Sequence, residues 1–138
     1  MSTTKAIKFT VYGEPASKAN SRKIVKFGDR PAIIKSKKAR SYEHDFAPQC
    51  PQLEPPITCD VRVNIYIYYA SRRPDLDESV ILDCMQTATK LVKMPDGTKE
   101  RQVLRNNVYK NDRQVKEKHI YHRLDKTNPR AEIEVVPL

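Results

Sequence analysis

Residues 61–68 constrain this chain more than any other stretch. Val61, Val63, Ile65 and Ile67 alternate with Arg62, Asn64, Tyr66 and Tyr68. Alternation at a period of two puts the aliphatic set on one face of a strand and the polar and aromatic set on the other. A strand with one apolar face must bury it, so the chain needs a sheet with a covering layer. Ile7, Phe9 and Val11 repeat the pattern near the start, and Ala131, Ile133 and Val135 repeat it near the end.

Other segments fill in the layers. Residues 23–27 and 32–35 flank Gly28-Asp29 and predict a hairpin, with Pro31 holding one strand at an edge. A helix is predicted over 37–46, stopped by Pro48. A second is predicted over 75–91, because Val80, Cys84, Thr87, Ala88 and Leu91 recur at spacings of three and four. Residues 115–123 form a further strand, expected to pair antiparallel with the last one across a turn at 125–129. The fold class is α+β: a small mixed β-sheet with two helices packed on it, in one domain spanning 1–138.

Composition narrows the function. The net charge of +9 exceeds what solubility requires of a small domain and points to a polyanionic partner. Cys50, Cys59 and Cys84 are odd in number and lack a C-x-x-C spacing, which argues against a disulfide scaffold or a zinc site. The apolar run at 65–70 is too short to span a bilayer. Residues 1–5 resemble no signal peptide. An intracellular protein without a membrane partner is expected.

Against that basic background, Asp75, Asp77, Glu78 and Asp83 crowd into nine positions. Close carboxylates repel one another unless a positive charge sits between them, and a divalent cation supplies one. Two residues apart on a helix, side chains diverge; two apart in an extended segment, they share a face. Asp75 and Asp77 therefore converge only if Asp75 lies outside the helix, and Pro74 favours such a start. The same residues also fit helix capping, with Asp75 as N-cap and Glu78 three positions on. The local pattern leaves both readings open. His119 and His122 point to opposite faces of a strand and receive no ligand role. Tyr66 and Tyr68 stack on unpaired bases or, as amphipathic aromatics more often do, pack under the second helix or a partner subunit.

The chain resembles the RusA family of Holliday-junction resolvases. The resemblance rests on Arg73-Pro74-Asp75-Leu76-Asp77, on Asn111-Asp112-Arg113-Gln114-Val115, and on Asp125-Lys126 with Asn128-Pro129-Arg130. Gly13, Pro15, Lys18 and Arg22 are similar to the family's basic opening. The resemblance implies an endonuclease with Asp75, Asp77 and Asp112 as catalytic, metal-holding aspartates, and Glu78 as a further candidate ligand. The implied cofactor is Mg²⁺, with Mn²⁺ able to substitute. It implies a homodimer that resolves four-way junctions or other branched DNA in recombination and repair, in bacterial or phage cytoplasm.

Phosphate contacts are expected from Lys18, Arg22, Lys23, Lys26, Arg30, Lys37, Lys38 and Arg73. Two departures stand out. The family's asparagine after D-L-D is Glu78, and its helix lysine is Ile81. Lys90 and Lys18 are the candidate substitutes for that lysine. Residues 93–107 read as an insertion, either a DNA-contacting arm carrying Lys93, Lys99, Arg101 and Arg105 or a solvated loop. The alternatives to a resolvase are a branched-DNA-binding protein that keeps the fold without cleaving, and a basic structural or RNA-associated protein.

Overall fold

The alternating segment becomes the spine of the fold. The structure is a computed structural model that describes residues 5–17, 22–72 and 74–138. Its elements are β1 (Ile7–Tyr12), β2 (Arg22–Phe27), β3 (Arg30–Lys35), α1 (Lys37–Phe46), β4 (Val61–Tyr69), α2 (Ser79–Met85), β5 (Ala88–Lys93), β6 (Lys99–Arg105), β7 (Val115–Leu124) and β8 (Arg130–Pro137). Short 3-10 turns occupy Ala47–Gln49 and Asp112–Gln114. The class is α+β. The main sheet is mixed, four-stranded and ordered β1-β8-β4-β7, while β2–β3 and β5–β6 form separate two-stranded ribbons.

In β4, Val61, Val63, Ile65, Ile67 and Tyr69 are all buried. Ala131, Ile133 and Val135 of β8 lie beside them, and Val11 of β1 extends the same layer. Ala39, Tyr42 and Phe46 of α1 and Val80, Ile81 and Met85 of α2 cover this face. Both helices therefore pack on one side of the sheet, and among the described residues no helix lies on the other side.

Helix α1 follows the sequence closely. Ser36 Oγ accepts the Ala39 amide at 3.1 Å, which satisfies one of the free donors of the first turn, and the chain tightens into a 3-10 turn at Pro48. The hairpin also forms as expected, with Gly28 at φ +63° in its turn.

Three expectations are corrected. The second helix covers Ser79–Met85 rather than 75–91, and Ala88–Lys93 is a strand. Thr87 donates its amide to the Tyr109 carbonyl at 2.8 Å, and Asn107 Nδ2 donates to the Gln86 carbonyl at 2.9 Å. These cross-chain bonds take up backbone groups that a longer helix would have used internally. The last two strands are not neighbours: β4 lies between them, pairing parallel with β7 and antiparallel with β8. Finally, Tyr66 and Tyr68 face away from both helices. Residues 93–107, left open between arm and loop, belong mostly to the β5–β6 ribbon. None of the helices in the described residues is long and apolar enough to cross a membrane.

Candidate functional site

The acids gather at the two ends of α2. The helix N-cap is Glu78, without a side-chain capping bond, so the Asp75–Glu78 capping box does not form. Asp75 and Asp77 both precede the helix, as a shared face requires. Asp77 Oδ1 accepts the Ser79 amide at 3.0 Å. Asp75 is exposed, and its carbonyl accepts from the Tyr69 hydroxyl at 3.5 Å. Glu78 is held by Lys118 Nζ at 2.6 Å. Burial pushes the Tyr69 phenol up to about 12; a backbone hydrogen bond at Asp77 lowers it, and the charges of Asp77, Glu14 and Glu78 raise it further.

The other end of α2 brings together residues distant in sequence. Val108 and Tyr109 run fully buried beside Ile57 and the end of α2. The Tyr109 hydroxyl donates to the Leu82 carbonyl at 2.6 Å. Asn111 then caps the following 3-10 turn in a reciprocal box with Gln114. Gln114 Nε2 ties that turn to the Ile57 and Cys59 carbonyls, both at 2.8 Å. The Asp112 amide donates to Gln86 Oε1 at 3.2 Å. So fixed, Asp112 lies beside the end of α2 that carries Asp83.

Burial is the largest influence on Asp83 and pushes its pKa up. Lys35 opposes it, Asp112 adds to it by hydrogen bond and charge, and Arg22 opposes it; the balance is upward. Lys35 is divided between Glu43 at 2.8 Å and Asp83 at 3.9 Å. Beside this pair lies a recess of about 500 Å³ whose lining includes Lys35, Glu43, Asp83, Gln86 and Arg101.

The basic residues fall into two groups. Arg22 and Lys35 are cross-strand partners at the base of the hairpin, next to Asp83. Lys23, Lys26 and Arg30 lie exposed along the ribbon, and Lys37 and Lys38 begin α1. Lys38 also reaches Glu14 at 3.4 Å. Lys18 and Arg73 lie outside the described residues. Arg105 is not a surface contact, because its guanidinium bonds the carbonyls of Ala47 and Cys50.

Ile81 is fully buried, so its position on α2 faces the core rather than a phosphate. Lys90 sits exposed on β5, not on a helix. Lys118, which belongs to no motif in the sequence, brings a cation to the acidic start of α2. Its signal was weak, since β7 alternates poorly. In the sequence, Asp83 stands out only as part of the acidic crowd at 75–83.

Among the described residues, no group of three or more His, Cys, Asp or Glu side chains is placed to hold a metal ion. Asp75, Asp77 and Asp112 are thus not gathered into one three-carboxylate centre. The Asp83–Asp112 pair does suit a hard cation, which typically takes one or two carboxylates and completes its shell with water and substrate phosphate. No family model and no curated protein sequence matches the chain.

Proposed function

We propose that this protein is a Mg²⁺-dependent endonuclease acting on four-way or other branched DNA, a resolvase of the kind its sequence resembles. The supporting observation is the 3.2 Å bond from the Asp112 amide to Gln86 Oε1, which sets the Asp112 turn against the end of α2 that carries Asp83, beside Lys35. Both carboxyls are partly buried, and burial with the nearby Asp112 charge pushes the Asp83 pKa up. Held by Asp83 and Asp112, a divalent cation would offset the negative charge that such a pair holds poorly.

Asp83 and Asp112 would hold the ion. Asp75 and Asp77 are assigned to the same reaction at the other end of α2 on the strength of the resemblance, with Glu78 beside them. A bound Mg²⁺ supplies Lewis acidity toward a phosphate and acidifies a coordinated water. The chain's own residues do the rest. Lys35 and Arg22 offset the acids, so that a phosphate can approach. Lys23, Lys26, Arg30, Lys37 and Lys38 hold the flanking backbone, which makes binding steeply salt-dependent. A homodimer presents one such site to each of the two strands to be cut.

The test is cleavage of a synthetic four-way junction in Mg²⁺ or Mn²⁺, with linear duplex as control. Junction-selective cleavage is expected, falling at least ~100-fold in Asp112→Asn and in Asp75→Asn, an effect of the size seen when a charge-stabilising group is removed. Undiminished cutting by Asp112→Asn would falsify the assignment. Tight junction binding without cleavage in any metal would instead make this a branched-DNA-binding protein that keeps the fold, a reading favoured by the buried Ile81.

A further inference from the structure

Two ribbons border the recess beside Asp83. Lys35, at the base of the β2–β3 hairpin, is in its wall, and so are Thr89 of β5 and Arg101 of β6. Directly paired residues of an antiparallel ribbon set their side chains on the same face. The pairs Thr89–Val103, Leu91–Arg101 and Lys93–Lys99 therefore share the face of β5–β6 that turns toward the recess. The Arg101 guanidinium donates to Thr89 Oγ1 along that face at 2.9 Å. Lys90, Val92, Glu100 and Gln102 occupy the opposite face. The ribbon covers most of the stretch that reads as an insertion relative to the resolvase family, so the resemblance assigns it no role.

The recess-side face carries Lys93, Lys99 and Arg101 and no acid. None of the three is in an ion pair among the described residues. Between them lie Leu91 and Val103, 50% and 61% exposed. A two-stranded ribbon buries little by itself, so these aliphatic groups stay in water until something covers them. The base of the ribbon is anchored: the Arg105 guanidinium bonds the Ala47 and Cys50 carbonyls. From that base, the run from Ala88 to Lys93 carries the last lysine about 17 Å outward. The hairpin answers with a like face, because Arg22 and Lys26 lie on the same side of it as Lys35.

We infer that the β5–β6 ribbon lies in the major groove of a duplex DNA arm that leads away from the recess, with Lys93 and Lys99 on the phosphates of the groove walls and Leu91 and Val103 against the base edges. Shape selects the groove. The major groove, about 12 Å wide, admits a two-stranded ribbon, whereas the minor groove, about 6 Å wide, does not. Chemistry agrees with shape. Phosphates take the three cations, and the groove floor offers thymine methyl groups to aliphatic side chains. Charge selects the class of partner. Two basic faces border one recess in a chain of net charge +9, and a continuous polyanion is what can run from one to the other.

The inference rests on the DNA-binding part of the proposed function but not on cleavage, so binding is measured in EDTA. Fluorescence anisotropy follows the full chain on a four-way junction with duplex arms as salt is varied. Lys93→Gln/Lys99→Gln should bind at least ~10-fold more weakly near physiological salt. It should also lower the slope of log affinity against log salt by about 2, close to one unit per lost phosphate contact. Circular dichroism should stay unchanged, since both changes are on the surface. Wild-type protein should protect guanine N7 atoms of an arm from dimethyl sulfate, because N7 faces the major groove. Leu91→Glu, which sets a carboxylate against the groove floor, should abolish that protection. Unchanged affinity and slope in the lysine variant overturn the inference and leave the proposed function standing. Junction binding with N7 fully reactive does the same. So does binding of polyglutamate that needs both lysines when junction binding does not, since the ribbon would then be a protein-docking arm. Failure of the wild-type chain to bind any DNA defeats both readings. A junction bound with both signatures but never cut in Mg²⁺ defeats the nuclease alone.

Discussion

At the start of α2, Glu78 is met by Lys118 at 2.6 Å and Asp77 by the Ser79 amide at 3.0 Å. At its end, Asp83 meets Asp112, with a Lys35 that sits nearer Glu43. At that end Asp77 and Glu78 are therefore answered by donors from the protein. The other leaves a carboxyl pair in which burial and a like charge outweigh the nearby cations. A cation from solution has more to offer the second end, and the basic hairpin rises from that end.

The two ends are held in one geometry by the middle of the helix, where Val80, Ile81 and Met85 are buried against the sheet. The largest expected effect breaks this link. Ile81→Lys places the family's lysine at the matching position, but in this chain the side chain would have to enter the core. Burying an unpaired ammonium together with losing an aliphatic side chain should cost about 3 kcal/mol or more. Urea denaturation measures it. A variant of wild-type stability would show that the position opens to solvent and that the middle of α2 does not fix its two ends.

That result bears on how much could be read in advance. The alternation of residues 61–68 identified the central strand and its buried face, and Ser36 with Pro48 bounded α1, because these signals are local. The extent of α2 was not legible. Val80, Cys84, Thr87, Ala88 and Leu91 keep helical spacing, yet Asn107 and Tyr109 claim the backbone at Gln86 and Thr87 from far along the chain. The same distance hid the site. Asp75 and Asp77 are conspicuous as neighbours in sequence, whereas Asp83 meets Asp112 only because the Val108–Tyr109 segment is buried against α2 and the Asn111–Gln114 box fixes the turn after it. The order of the last strands was misread for a related reason. A short turn favours pairing, but β4 offers both edges and separates them.

A smaller effect tests the C-terminal end directly. The folded protein holds the Asp83 proton more tightly than the unfolded chain, whose value is near 3.8. Stability therefore falls as pH rises through the folded value, and the favourable contribution is complete only below the unfolded one. Asp83→Asn, which does not titrate, should melt a few degrees above wild type at neutral pH in EDTA, with the gap closing as pH drops toward 4. Mg²⁺ should raise the wild-type Tm and leave the variant unmoved, because ligand binding to the folded state is what shifts the melt. If the variant melts lower at neutral pH, the Lys35 attraction outweighs burial and repulsion, and the contrast between the two ends disappears.

The smallest effect belongs to the N-terminal end. Lys118 is half exposed while Glu78 is mostly covered, at 50% and 21% side-chain exposure. Solvent screens such a pair, so Lys118→Ala should cost no more than about 1 kcal/mol in denaturation. Glu78 remains at the helix N-terminus, where the dipole favours an acid even without its partner. Stability and cleavage should diverge if this end takes part in the reaction. Removing Lys118 strips the described cation nearest Glu78, so a loss of junction cutting much larger than the loss of stability would give Lys118 the phosphate contact that the buried Ile81 cannot make. Equal small losses would leave Lys118 as the partner of Glu78 and nothing more.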